Sequence, residues 1–139
     1  ETISTGNLIM IGEEAGSIVV DIAKRLMLLV RDAYPDWQVA YLRFSINHLV
    51  SEVKASCVHG RGVDVMDVIQ HGGFFQLMGH QGKELMSALG LVDGVFLLVV
   101  NSKYDYEIHF EHADMTRWRI SKLDGGTGVP AGMGVPGQA

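Results

Sequence analysis

The chain has 139 residues, of which 47% are hydrophobic and 19% are charged, a size and composition typical of one compact domain with a hydrophobic core. Its formal net charge of −5, from 16 acidic and 11 basic residues, argues against general nucleic-acid binding and leaves room for a basic protein partner. The single cysteine cannot form an internal disulfide, and neither a membrane-spanning segment nor a signal peptide is visible, so we expect a cytoplasmic protein.

The first clear element is an amphipathic helix, predicted over residues 17–33. Apolar side chains recur there at the spacing of one helix face, at Ile18, Ile22, Leu26, Leu29 and Val30. Ser17 can serve as the N-cap. Pro35 should end the helix, because proline disfavours a helical conformation in the residue before it. The apolar stretch at residues 8–11 fits a short strand and a helical turn equally well.

A β-hairpin follows this helix, with strands predicted over residues 39–46 and 49–58 and a turn at Asn47 and His48. The glycines on either side of Arg61 predict a second tight turn, since glycine tolerates the positive φ that such turns need. Residues 63–69 begin like a third strand, although a helical turn fits nearly as well.

A second helix is predicted over residues 74–89. The apolar side chains available for burial on it are Phe75, Met78, Leu85 and Leu89. Gly90 is suited to be its C-cap. Two internal glycines, Gly79 and Gly82, should each weaken this helix by about 1 kcal/mol relative to alanine.

Two further strands complete the sheet. Residues 95–100 are a continuous apolar run, typical of a buried strand, and residues 104–110 alternate strictly, which is typical of a strand with one exposed face. The side chains expected to face the core are Tyr104, Tyr106, Ile108 and Phe110. Those expected to face water or a partner are Asp105, Glu107, His109 and Glu111. Residues 117–123 could supply one more short strand.

These elements predict an α+β fold, an antiparallel sheet of about five strands with two helices packed on one face. The single domain should span residues 1–123. Residues 124–139 contain six glycines and two prolines with almost no large apolar side chain. Such a segment cannot bury enough surface to offset the entropy of ordering, so we expect a flexible Gly/Pro-rich tail.

No motif for metal, cofactor or nucleophile chemistry accompanies these elements in the sequence. His109 and His112 would point to opposite faces of a strand, and no second ligand group has the spacing of a zinc motif, so we expect no metal site. The glycines of the tail do not match a phosphate-binding loop, and we expect no cofactor. Cys57 and His59 would share a strand face, which could pair a thiolate with a base. Packing is the simpler interpretation of this cysteine, because cysteine is among the most buried residue types.

The order of the elements resembles that of the small immunity proteins of bacterial polymorphic-toxin and contact-dependent growth inhibition systems, in particular the YezG-like group. The segments that carry the resemblance are Pro35-Asp36-Trp37 after the first helix, and Tyr104-Asp105-Tyr106-Glu107 with Trp118 near the end. As a pattern of elements it spans residues 17–123, and the glycines of the second helix and the tail depart from it. The resemblance implies a cytoplasmic, non-enzymatic protein that binds one cognate toxin domain, often a nuclease, and blocks its active site or substrate path.

The leading hypothesis is therefore a toxin-binding protein whose acidic surface covers a basic cleft on the toxin. The residues expected to form that surface are Asp105, Glu107 and Glu111, possible additions being Asp64 and Asp67.

Two alternatives come from other functional classes. The first is a small α+β enzyme or ligand-binding domain that uses Cys57, His59 and His109 in a pocket between sheet and helices. The second is a self-associating module that pairs through the exposed edge of its terminal strands.

Overall fold

The structure, a computed structural model, describes the backbone of residues 2–4 and the whole of residues 11–134. In chain order its elements are β1 (Thr2–Ser4), α1 (Glu13–Ala33), β2 (Val39–Asn47), β3 (Val50–His59), β4 (Gly62–Val65), α2 (Gly72–Ala88), β5 (Gly94–Asn101), β6 (Tyr106–Glu111) and a 3₁₀ helix (Leu123–Gly125). The strands form one sheet in the order β1-β6-β5-β2-β3-β4, and each neighbouring pair is antiparallel. The predicted α+β class is confirmed, and the short strand β1 extends the sheet at one edge.

Helix α1 begins at Glu13, earlier than the predicted start at Ser17. Gly12 precedes it with a φ of 94°, and Glu13 and Glu14 lie in its first turn. Acidic side chains are favourable there because the N-terminal end of a helix carries partial positive charge. The end agrees with the sequence prediction: Tyr34 is the C-cap, its N–H donates to the Val30 carbonyl at 2.7 Å, and a proline follows.

Helix α2 begins at Gly72 and ends at Ala88, and Gly90 forms the C-terminal cap that the sequence predicted. Gly90 has a φ of 71°, and the N–H of Leu91 reaches back to the Met86 carbonyl at 2.9 Å. This is the pattern of a Schellman C-cap, in which glycine takes the left-handed conformation at no steric cost.

Both helices pack on one face of the sheet. Ala55, Leu42, Leu98 and Ile108 are register neighbours across four strands, and all four are buried against the helices. The helix residues that meet this row include Val19, Ile22, Leu26, Val30, Phe75, Met78 and Leu85. Among the described residues, neither helix combines the length and the apolar composition needed to cross a membrane.

Residues 115–133 cover the opposite face of the sheet, and we call them the C-terminal strap. The strap buries Trp118, Ile120 and Val129 against Tyr41 and Leu97, among other residues of that face. The strand predicted over residues 117–123 is absent, because the chain turns there: Trp118 has a φ of 60°, outside the strand region.

The glycine-rich segment predicted to be a flexible tail from Asp124 onward is packed in part. Residues 128–130 are buried, the N–H of Gly128 donates to the Ser121 carbonyl at 3.1 Å, and the N–H of Ala131 donates to the Arg119 carbonyl at 2.9 Å. Few apolar side chains suffice here because the second face of the sheet supplies the rest of the buried surface. The packed domain therefore extends beyond residue 123, and residues 135–139 lie outside the described part of the chain.

The turn between β2 and β3 consists of His48 and Leu49, one position later than predicted. Both residues have positive φ, 51° and 68°, as two-residue hairpin turns of type I′ require. Leu49 was predicted to be the first residue of the second strand and instead lies at the tip of the hairpin, 85% exposed. The third predicted strand, begun at residue 63, is β4, which ends at Val65 before a turn. The ambiguous stretch at residues 8–11 lies outside the described residues up to Met10.

Candidate partner-binding site

The turn between β5 and β6 is held in one conformation by Asn101. The side-chain carbonyl oxygen of Asn101 accepts hydrogen bonds from the N–H groups of Lys103 at 2.9 Å and Asp105 at 3.2 Å. The backbone N–H of Asn101 donates to the Asp105 carbonyl at 3.0 Å. A turn fixed in this way costs little entropy to order when a partner binds.

Tyr104 lies in this turn and not in a strand. It has a φ of 66°, β6 begins only at Tyr106, and Tyr104 is 57% exposed. The alternating pattern placed Tyr104 in the core, and that prediction is wrong because the strand periodicity does not continue into the turn. Tyr106 and Ile108 do face the helix side as predicted.

A groove of about 470 Å³ lies beside the turn. Val39 and Val99 contribute apolar surface to it, and Asp105 and Glu107 contribute carboxylates. Asp105 is exposed, and the Glu107 side chain is 40% exposed. An apolar surface flanked by carboxylates suits the aliphatic stem and cationic head of a lysine or arginine side chain.

Glu107 lies on the strap side of the sheet, above Tyr41. Burial raises the pKa of Tyr41 to about 12, and the negative charge of Glu107 contributes to this shift. The nearest oxygen of Glu107 is 3.4 Å from Nε2 of His109, whose ring meets Trp118 at 5.7 Å between centroids. His109 was expected to be exposed, and the strap covers it instead.

Glu111, at the other end of β6, uses its carboxylate within the fold. One oxygen accepts hydrogen bonds from the N–H groups of Ala113 at 3.0 Å and Asp114 at 3.3 Å, and the other lies 2.8 Å from Nη1 of Arg117. The backbone hydrogen bond from Ala113, together with the Arg117 guanidinium, lowers the pKa of Glu111 to about 2. This carboxylate holds the start of the C-terminal strap.

The pKa of Glu111 predicts a pH dependence of stability. Because the folded pKa of about 2 lies below the ordinary value of 4.5 for a glutamate, the ionised carboxylate stabilises the fold above pH 4.5. That contribution should be lost progressively as the pH falls from 4.5 to 2. Urea denaturation of the wild type and of Glu111→Gln should show the variant less stable at pH 7, and the difference should shrink at pH 3. A difference that is constant with pH would contradict this role.

Asp64 and Asp67 lie near the opposite edge of the sheet from Glu107, since β4 is separated from β6 by β3, β2 and β5. An oxygen of Asp64 is 3.4 Å from Nε2 of His59. Asp67 accepts hydrogen bonds from the N–H groups of Ile69 at 2.8 Å and Gln70 at 3.4 Å and so caps the turn before α2. The five acidic residues singled out from the sequence therefore do not form one surface. The structure brings Asp105 and Glu107 to one groove and places the other three elsewhere.

Cys57 and His59 share the helix-facing side of β3, as predicted, but Cys57 is fully buried. Burial raises the pKa of the Cys57 thiol to about 12, so almost no thiolate exists at neutral pH. Nδ1 of His59 accepts the N–H of Arg61 at 3.3 Å, and its ring stacks on Tyr34 at 4.8 Å between centroids. His109 is on β6, three strands away. The structure thus does not bring these three residues into one pocket.

No group of three or more metal-ligating side chains occurs among residues 11–134 with suitable geometry. Two residues have roles that the sequence pattern did not predict: Asn101, which lines the groove and was predicted only to lie in a turn, and Tyr104, which lies in the adjacent turn and was predicted to lie in the core. The sequence feature that could have indicated both roles is Asn101, because asparagine at the first position of a turn hydrogen-bonds to the backbone two residues on.

No protein-family model matches the chain, and none of the curated proteins matches it.

Proposed function

We propose that the chain is an immunity protein, which binds a cognate bacterial toxin domain and neutralises it by covering its active site. The observation that carries this proposal is the groove beside the β5–β6 turn. Two carboxylates, Asp105 and Glu107, flank apolar surface there, and the exposed ring of Tyr104 lies in the same turn. Inhibition by such a surface requires complementary contacts and no catalytic residue.

The chemistry of the groove suits the partner that the YezG-like resemblance implies. A nuclease holds the phosphates of its substrate with lysine and arginine side chains. The same cationic side chains can enter a groove that offers two carboxylates and an apolar wall, and occupying them would keep nucleic acid out of the toxin. Long-range attraction between the acidic immunity protein, with its net charge of −5, and a basic toxin would also raise the association rate.

Tyr104 adds the kind of contact that dominates protein interfaces. Tyrosine is enriched among the few residues that supply most of the binding free energy, because its large ring has few rotatable bonds. The hydrogen bonds of Asn101 hold the turn that carries it, so the ring is presented to a partner from a fixed backbone. We expect the immunity protein to act in the bacterial cytoplasm, where a nuclease toxin would find its substrate.

The proposal is tested by protection from the toxin domain encoded by the neighbouring upstream gene. Bacteria that produce this toxin domain should grow when wild-type protein is supplied. The double variant Asp105→Lys and Glu107→Lys should lose that protection, because it places cations against a basic cleft. In parallel, the complex should be captured at one-to-one stoichiometry with the wild type and not with the double variant.

Glu84→Lys is the matched control, because Glu84 is an exposed acidic residue on α2, away from the groove. It reverses one charge, as each single variant Asp105→Lys or Glu107→Lys does, and should protect as well as the wild type, whereas those two single variants should protect less well. Circular dichroism should show that both charge-reversal proteins fold. Full protection by the double variant would remove the groove as the binding site, and failure of the wild type to bind or protect would overturn the immunity function.

A further inference from the structure

Strand β3 has an open edge along its first five residues. Its outer neighbour β4 pairs only with residues from Ser56 to His59, and the last backbone hydrogen bond on that side joins the N–H of Met66 to the Ala55 carbonyl at 2.9 Å. In the described part of the chain, no strand pairs with the outer side of residues 50–54. β3 therefore continues beyond the end of β4, and the outer backbone edge of residues 50–54 is unpaired in the described part of the chain.

The direction of the free backbone groups follows from the Ala55 hydrogen bond. Residues of an antiparallel strand alternate in the side to which their N–H and C=O groups point. Because Ala55 bonds outward to Met66, the backbone groups of Val53 and Ser51 also point outward, whereas those of Glu52 and Lys54 point toward β2. An added strand would find free donors and acceptors at two consecutive outward positions.

The surroundings of this edge leave room for an added strand. A cavity of about 490 Å³ lies where β4 ends, lined by Lys54, Val65 and the loop before α2, with the strap on its other side. Val50 at the start of the edge is 73% exposed, and Ile69 in that loop is 93% exposed. Exposed aliphatic side chains beside an unpaired strand favour the docking of another extended chain.

A second copy of the same chain is a poor occupant. The antiparallel register that fits two copies of residues 50–54 together places Glu52 directly opposite Glu52 of the copy, and like charges in that position are destabilising. Shifting the register to pair Glu52 with Lys54 of the copy would place Ser51 opposite Ala55, whose carbonyl already bonds to Met66.

We propose that residues 50–54 of β3 form a docking edge for an antiparallel β-strand of a different protein. Main-chain hydrogen bonds to Ser51 and Val53 would supply affinity, and the side chains of the edge would select the sequence. The favoured strand has a basic residue opposite Glu52, an acidic residue opposite Lys54 and a β-branched residue opposite Val53. This inference depends on the open edge alone and stands or falls independently of the acidic groove.

The experiment uses two synthetic peptides and NMR titration of the full chain. Acetyl-Glu-Val-Lys-Thr-Val-amide places its glutamate opposite Lys54 in antiparallel pairing, and acetyl-Lys-Val-Lys-Thr-Val-amide places a lysine there. Binding of the first should move the amide protons of Ser51 and Val53 downfield and leave those of Glu52 and Lys54 little changed. We expect the first peptide to bind about fivefold more tightly than the second. Non-specific attraction to an acidic protein would favour the second, more basic peptide.

The variant Lys54→Glu should invert this preference while leaving the main-chain pattern of shifts the same. Equal affinity of the two peptides for the wild type, or a preference that Lys54→Glu leaves unchanged, would overturn the antiparallel register. Absence of saturable shifts at Ser51 and Val53, or self-association of the chain through this edge in analytical ultracentrifugation, would overturn the docking edge itself.

Discussion

Replacing Arg43 with methionine should lower the free energy of unfolding by about 3 kcal/mol, because two hydrogen bonds from a buried cation are lost. Arg43 lies on the strap side of β2 and is 4% exposed. Its Nε donates to the Arg117 carbonyl at 2.8 Å, and its Nη2 donates to the Met115 carbonyl at 2.7 Å. Methionine fills similar volume but leaves both carbonyls without their donors. Chemical denaturation measures the loss directly.

A second measurement separates loss of the strap from a general loss of stability. In a Trp37→Phe background, tryptophan emission reports Trp118 alone, and Arg43→Met should shift this emission to the red under native conditions, because the strap would lose its attachment to the sheet. Arg119→Met is the matched control, since Arg119 is an exposed arginine on the strap itself. Unchanged stability and emission in Arg43→Met would mean that apolar packing alone holds the strap.

Alanine substitutions at Gly82 and Gly79 should change stability in opposite directions. A Cβ atom at Gly82 would overlap the ring of Phe44, whereas one at Gly79 meets nothing within 4 Å. Phe44 is fully buried and stacks on Phe96 at 5.3 Å between centroids, so its ring cannot move away cheaply. The clash outweighs the gain in helix propensity, and Gly82→Ala should destabilise the protein by about 1–2 kcal/mol.

Gly79→Ala gains helix propensity without a clash and should stabilise the protein by about 1 kcal/mol. Thermal denaturation of the two single variants and the wild type provides the comparison, since the same substitution is made three residues apart in one helix. Equal effects of the two variants would show that α2 can move away from the sheet at Gly82, contrary to the close approach seen here.

The candidate site was predicted in part from the sequence. Strict alternation after the β5–β6 turn placed Glu107 on the face opposite Ile108, and the pairing of Ile108 with Leu98 on the helix side confirms that assignment. The same alternation could not show that the strap would cover His109, because the strap comes from a segment distant in sequence. Nor could it show that Asp64 and Asp105 lie far apart in the sheet. That distance depends on how many strands lie between β4 and β6, which the order of strand pairing decides.

The sequence by itself determined the elements that are specified by local hydrophobic periodicity and by proline or glycine at their ends. The apolar stripe and Pro35 placed the end of α1, Gly90 placed the end of α2, and the continuous run of β5 identified a buried strand, because periodicity and backbone restriction act over a few residues. Only the tertiary structure decided which segments meet. The burial of Val129, the attachment of the strap to Arg43 and the open edge of β3 depend on contacts between residues far apart in the chain, and no short-range pattern encodes such contacts.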